Sequence, residues 1–283
     1  MDRLRALWDF DDLDLSERRL TEQLDREADD AGRAEVLTQL ARVEGLRGAF
    51  DRCGELLDEA GRVGAGSAVV GVRLALERGR LLRSSGEPAG AYPLFVNAFE
   101  HADAAAEHYL AGDAAHMAAL AAADDEGFRA WTTRGIELGE REPAASYWRG
   151  PLLNNLGWAL HERGDHGEAL TAFERALGVR QENPSDEYAI EIARYAFAVA
   201  LRTLGRAAEA AREAERSVAW SLRAGRRDPY FHEELAEDYA ALGRDQNAAE
   251  HARQALELFG SDATPSQRSR LEELTGGNPP NGG

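Results

Sequence analysis

Apolar and small residues recur three and four positions apart along most of the chain, and nothing alternates with a period of two over a useful length. The pattern predicts helices and no sheet. It is clearest over residues 154–177, NNLGWALHERGDHGEALTAFERAL. Leu153, Leu156, Gly157 and Leu160 fall on one helical face before Gly164, and Ala169, Phe173, Ala176 and Leu177 fall on another after it. Two amphipathic helices around a glycine turn follow. Glycine suits that turn because a helix commonly ends on a left-handed residue, which is costly with a Cβ.

The same template slides along the chain. Turn glycines fall at Gly48, Gly86, Gly164, Gly205 and Gly243, with Ala122 standing in the gap, at steps of about 36 to 42 residues. Five positions after each turn the residue is small: Cys53, Ala91, Gly127, Ala169, Ala210 and Ala248. Four further on the column reads Leu57, Phe95, Trp131, Phe173, Ala214 and Ala252, large in the middle and small at the C-terminal end. The third hairpin fits worst, because Ala122 replaces the glycine and Arg134 sits where a small residue is expected. Pro88 opens a second helix, whereas Pro93 lies well inside it and predicts a kink or a late start.

On these residues the chain resembles the tetratricopeptide repeat family, whose unit is a helix pair with Leu-Gly, a turn glycine, Ala and an aromatic at fixed offsets. The longer steps of the C-terminal half resemble kinesin light chains and bacterial peptide-sensing regulators. The resemblance implies an all-α, right-handed α-solenoid of about six helix hairpins spanning 34–263, with turns near 48, 86, 122, 164, 205 and 243. Stacked repeats need polar end caps. Residues 16–30, with Ser16 as N-cap, and residues 264–276, opened by Thr264 and Pro265, are the expected capping helices. Residues 1–15 form a leader and 277–283, GNPPNGG, a flexible tail.

Composition narrows the function. With 51 acidic and 33 basic residues the formal charge is −18, which disfavours nucleic acid and anionic membrane as partners. No apolar run approaches the roughly 20 residues that cross a bilayer, and the N-terminus has no secretory stretch. A cytoplasmic location is expected. The single cysteine, Cys53, excludes an internal disulfide and reads as packing in the small-residue column. The seven histidines show no metal-ligand spacing, and residues 61–67, GRVGAGS, lack the ending of a phosphate loop. No catalytic constellation, metal or cofactor is expected.

In the family that the chain resembles, first helices line a concave groove. Register nominates Arg42, Arg73, Arg80, Arg83, Tyr109, His116, Asn154, Asn155, Trp158, Tyr195 and Arg202 as peptide-binding, with Glu233, Glu234 and Glu237 following in the last hairpin. The basic N-terminal half suggests capture of an acidic peptide through guanidinium forks. Arg80 and Arg83 can equally pair with neighbouring acids, and Trp158 can pack between adjacent hairpins. The absence of lysine departs from the carboxylate clamp of chaperone-binding members. The leader sequence LWDFDDLD resembles acidic-tryptophan peptides, so it either occupies its own groove or staples Trp8 and Phe10 onto the first helices, the reading favoured here. The expected function is a non-catalytic scaffold binding a protein or peptide segment. The alternative is a regulatory peptide sensor that changes superhelical pitch and acts through a separate partner. Self-association through the ends of the array stays open.

Overall fold

The computed structural model describes residues 2–182, 184 and 186–276, so the predicted tail lies outside the described residues. Among the described residues the chain is all α, with no strand. After a capping helix α1 (Leu13–Arg26), helices alternate in hairpins: α2 (Asp30–Leu46) with α3 (Phe50–Val63), α4 (Ala68–Ser84) with α5 (Pro88–Ala104), α6 (His108–Ala121) with α7 (Asp125–Arg141). The next hairpins are α8 (Arg149–Glu162) with α9 (His166–Glu182), α10 (Glu187–Thr203) with α11 (Ala207–Ala224), and α12 (Pro229–Ala241) with α13 (Asp245–Phe259), before a last helix α14 (Pro265–Leu274). Each glycine expected at a turn, Gly48, Gly86, Gly164, Gly205 and Gly243, has positive φ. A side chain there would be strained whatever the space around it.

The chain divides into two compact units, residues 1–152 and 153–283. Within each, a helix touches its hairpin partner and also the first helix of the next hairpin, as α2 touches α4, α4 touches α6, and α10 touches α12. That stacking is the solenoid arrangement. Both packing columns are buried with the exception of half-buried Gly127.

A third column explains how large residues fit. Seven positions before each turn stand Ala41, Gly79, Ala115, Gly157, Ala198 and Ala236, and sixteen after those stand Leu57, Phe95, Trp131, Phe173, Ala214 and Ala252. Glycine occurs where phenylalanine faces it. A Cβ on Gly79 would lie 2.5 Å from the Phe95 ring, and one on Gly157 would lie 2.4 Å from that of Phe173. Both rings are fully buried, worth about 1.5–3 kcal/mol each. The phenylalanine column therefore needs the missing methyl.

The third hairpin is irregular for a visible reason. Helix α6 is buried almost all round because Trp148, from the 143–148 connector, packs on it, and a Cβ on Gly112 would come within 2.5 Å of that indole. Arg134 lies over the Phe99 ring at 4.4 Å, using its guanidinium as a lid where a small residue was expected. Two expectations at the ends need correction. Asp12, not Ser16, caps α1, accepting from the Leu15 amide at 2.8 Å, because Ser16 is buried and exchanges hydrogen bonds with the Asp9 backbone. Pro93 does not delay α5, which starts at Pro88 and carries Pro93 within its second turn. At the other end Thr264 and Gln267 form a capping box.

Candidate functional site

In the N-terminal unit the first helices α2, α4 and α6 face a chamber of about 220 Å³, to which the second helices α3, α5 and α7 contribute no lining residue. Helix α2 supplies Gln39 and Arg42, α4 supplies Arg73, Leu76 and Glu77, and α6 supplies Tyr109, Leu110, Asp113 and His116. The connector adds Tyr147 and Trp148, and the start of α8 adds Pro151. The remaining wall is the leader itself, through Asp2, Arg5, Trp8 and Phe10.

The leader is held by side chains at both ends of its span. Arg73 donates to both carboxylate oxygens of Asp2, at 3.0 and 2.6 Å, and its Nε donates to Glu35 at 3.0 Å. Such forks are the strong form of guanidinium–carboxylate pairing. The Arg73 fork also draws the Asp2 carboxyl below its ordinary range, against the upward push of burial. The Trp8 indole packs with Leu20, Val36 and Val43 and donates to Gln39 Oε1 at 3.1 Å. Phe10 stacks on Trp8 at 4.8 Å, and the Arg42 guanidinium lies 5.4 and 5.5 Å from the two rings. The stapling of Trp8 is thus present together with an acidic contact to a groove arginine.

The arginines predicted to make this surface basic are largely matched. Arg80 donates to Glu77 at 2.6 Å and to Asp113 at 2.5 Å. Arg42 stands 3.9 Å from Glu77, and burial, reinforced by Arg80, pushes its guanidinium down. Arg83 is exposed. Tyr109 is buried against Tyr147 and Trp148, and burial pushes its phenol up. His116 stacks on Trp148 at 5.4 Å, and burial holds its imidazole down at about 4. It is a neutral ring at physiological pH. The acids Glu77 and Asp113 and the aromatics Tyr147 and Trp148 were missed by sequence reasoning. The signal was there for the aromatics, in a Tyr-Trp pair closing a proline-led connector.

In the C-terminal unit Asn154 and Asn155 are half-buried on α8, and Asn154 Oδ1 is buried without a hydrogen-bond partner. Trp158 sits edge-on to Phe173 at 5.1 Å and 6.2 Å from Tyr195, so it packs between hairpins while keeping a half-exposed edge. Burial, with Glu234 next, raises the Tyr195 phenol. Arg202 forks onto Glu234 at 2.9 Å through both nitrogens and lies 3.7 Å from Asp238. Asp238 is fully buried, and burial with the neighbouring Glu234 charge drives its carboxyl far above the ordinary range. Burial also raises Glu233 and Glu234.

The Cys53 thiol is pushed up to about 11 by burial, which leaves it unreactive. Among the described residues no three His, Cys, Asp or Glu side chains gather as a metal group, and no helix is long and apolar enough to cross a membrane.

Comparison with known proteins agrees with the hairpin geometry. Residues 150–183, which hold α9 and all of α8 except Arg149, match the tetratricopeptide repeat model. No curated protein matches the chain in sequence. Among solved structures, the signal transduction ATPase with a tetratricopeptide repeat sensor from Pyrococcus horikoshii superposes with a TM-score of 0.70 at 15% identity, over 94% of this chain. This chain spans only 41% of that protein. RapI in its apo form gives a TM-score of 0.71 at 11% identity, over 93% of this chain and 76% of RapI. A tetratricopeptide repeat protein from Parabacteroides merdae gives 0.50 at 16%, covering 94% and 93% of the two chains. One recognised repeat at residues 150–183, a run of helix hairpins with glycine turns at its spacing, and these shared folds make the chain similar to tetratricopeptide-repeat proteins.

Proposed function

We propose that the chain is a non-catalytic interaction scaffold whose first helices hold a peptide or protein segment that presents an acid and an aromatic. One observation carries this reading. The inner surface of the N-terminal unit already holds such a segment, residues 2–10 of the chain itself, through the Asp2–Arg73 fork and the Trp8–Gln39 contact. Surface chemistry that selects this segment in cis suits a similar one in trans. Aromatic anchors and arginine forks are the residue types that dominate binding energy at interfaces. In the C-terminal unit, Asn154, Asn155, Trp158, Tyr195 and Arg202 form a candidate surface of their own, with paired amides suited to a peptide backbone.

The test uses a labelled synthetic peptide of residues 2–12 and the full chain carrying Asp2→Ala and Trp8→Ala, which loosens the leader. The peptide binds this variant at least about tenfold more tightly than it binds the unaltered protein, whose own leader competes. No binding to the variant, with helicity intact, removes the reading. The sensor alternative draws support from the Pyrococcus horikoshii protein, whose repeats form a sensor. Small-angle scattering of the variant with and without peptide separates the two, since a sensor changes dimensions and a passive scaffold does not.

A further inference from the structure

The chamber of the N-terminal unit has polar atoms that leader docking leaves unused. Arg42 Nε and Trp148 Nε1 are buried donors without a partner, and Glu77 Oε2 is a buried acceptor without one. Buried polar groups in native proteins are nearly all paired, so three on one chamber wall call for an explanation. Arg42 and Glu77 approach each other only to 3.9 Å, too far for a hydrogen bond. Around them the lining is aromatic: Trp8, Tyr109, Tyr147 and Trp148. At about 220 Å³ the space lies below the roughly 300–1,000 Å³ that takes a drug-sized ligand. It suits one small planar molecule and not a length of peptide.

We infer that this chamber is a binding site for a free aromatic α-amino acid. Its carboxylate accepts from Arg42 and the Trp148 indole, its ammonium donates to Glu77, and its ring lies among the aromatic walls. A plain anion leaves Glu77 Oε2 without a donor, the other Glu77 oxygen being held by Arg80. A plain amine leaves Arg42 and Trp148 unpaired. Only a ligand that carries an ammonium and a carboxylate on one carbon satisfies all three groups. Arg42 is held against Trp8 and Phe10, so a ligand on Arg42 is covered by the leader and stabilises the leader's docked position. The site goes beyond the peptide reading and stands without it, because a chain that binds no peptide still has these walls.

Calorimetry on the unaltered full chain tests the assignment, with L-tryptophan as probe, tryptamine as the form without a carboxylate and indole-3-propionate as the form without an ammonium. L-Tryptophan or L-phenylalanine binds, and each one-charge analogue binds at least about tenfold more weakly than L-tryptophan. Bound L-tryptophan also slows tryptic cleavage after Arg3 and Arg5. Arg42→Gln weakens binding by about tenfold with its circular dichroism unchanged. Equal affinity for all three indoles would reduce the chamber to an apolar hole and overturn the assignment. So would silence from both amino acids at millimolar concentration. Should Arg42→Gln fail to fold, the analogue series on the unaltered protein still distinguishes a two-charge site from an apolar one.

Discussion

In the N-terminal unit two inward arginines meet carboxylates brought from other elements: Arg73 reaches Asp2 of the leader and Glu35 of α2, and Arg80 reaches Asp113 of α6. In the C-terminal unit Arg202 faces both Glu234 and Asp238 on α12, with Glu233 and Glu237 beside them. The first unit neutralises buried charge with opposite charge. The second gathers carboxyls, Glu234 and Asp238, that burial and mutual repulsion raise, so that a proton is held there more readily. The two solutions respond differently to mutation and to pH, although the helix hairpins that carry them share one template.

The largest contrast is expected on removing each arginine. Arg73→Ala strands the Asp2 carboxylate and leaves Glu35 with Arg3 alone, and breaking such a pair from one side costs about 3–5 kcal/mol. Arg202→Ala should cost less, about 1–3 kcal/mol, because its partners can take up a proton and Arg202 is itself partly exposed. Urea denaturation at neutral pH measures both. Equal losses would break the distinction between the units. Limited proteolysis adds a local readout, since Arg73→Ala also frees the leader.

Next in size is a change that should treat the units alike. Gly79→Ala and Gly157→Ala each push a methyl into a phenylalanine ring, and overpacking of this kind costs about 1–3 kcal/mol. Matching losses show that the charge difference sits on equivalent frameworks. A loss at only one of them would mean that the two hairpins pack by different rules.

The fold was legible because its signals are local. A glycine turn, a small residue five later and a bulky one nine later are set by the geometry of two adjacent helices, and sets of this kind recur along the chain. The site was less legible because its partners are remote in sequence. Asp2 and Arg73 lie 71 residues apart, and Arg80 and Asp113 lie 33 apart. The family resemblance nominates Arg73, Arg80 and Arg202 by register but says nothing of which acid arrives opposite. Ser16 failed as a cap because Asp12 does that work one turn earlier and the Ser16 hydroxyl is drawn to the leader backbone. Trp148 was missed because it belongs to a connector, outside the helical register that nominated every other residue.

The proton in the C-terminal unit gives a smaller effect with a definite sign. The native state favours protonated Asp238, whose carboxyl is raised from 3.8 in an unfolded chain. Its contribution is complete below that value and is lost as pH rises through the raised one. Asp238→Asn cannot ionise, so its stability relative to the unaltered protein should improve as pH rises, by on the order of 1 kcal/mol at mildly alkaline pH. Thermal melts from pH 5 to about pH 8.5 follow this, over a window that lies above the ordinary carboxylate value. A constant difference across that range would mean that Asp238 is ionised in the fold and compensated by Arg202, as its counterparts are in the N-terminal unit.

The smallest effect is expected where the packing column is rewritten without changing its sum. The first hairpin pairs Ala41 with Leu57 at the position where the second pairs Gly79 with Phe95, and all four are buried. Leu57→Phe alone drives a ring against the Ala41 methyl and should cost about 1–3 kcal/mol. Ala41→Gly alone removes that methyl from a helix interior and costs about 1 kcal/mol. Together they recreate the glycine–phenylalanine solution of the next hairpin, so the double variant should lie within about 1 kcal/mol of the unaltered protein, with a coupling of about 0.5–3 kcal/mol between the two sites. Strictly additive losses would show that Gly79 and Phe95 are tuned to surroundings other than each other. A coupling of the expected size would make the small-for-large exchange a portable rule of this array, independent of the buried charges that divide its two units.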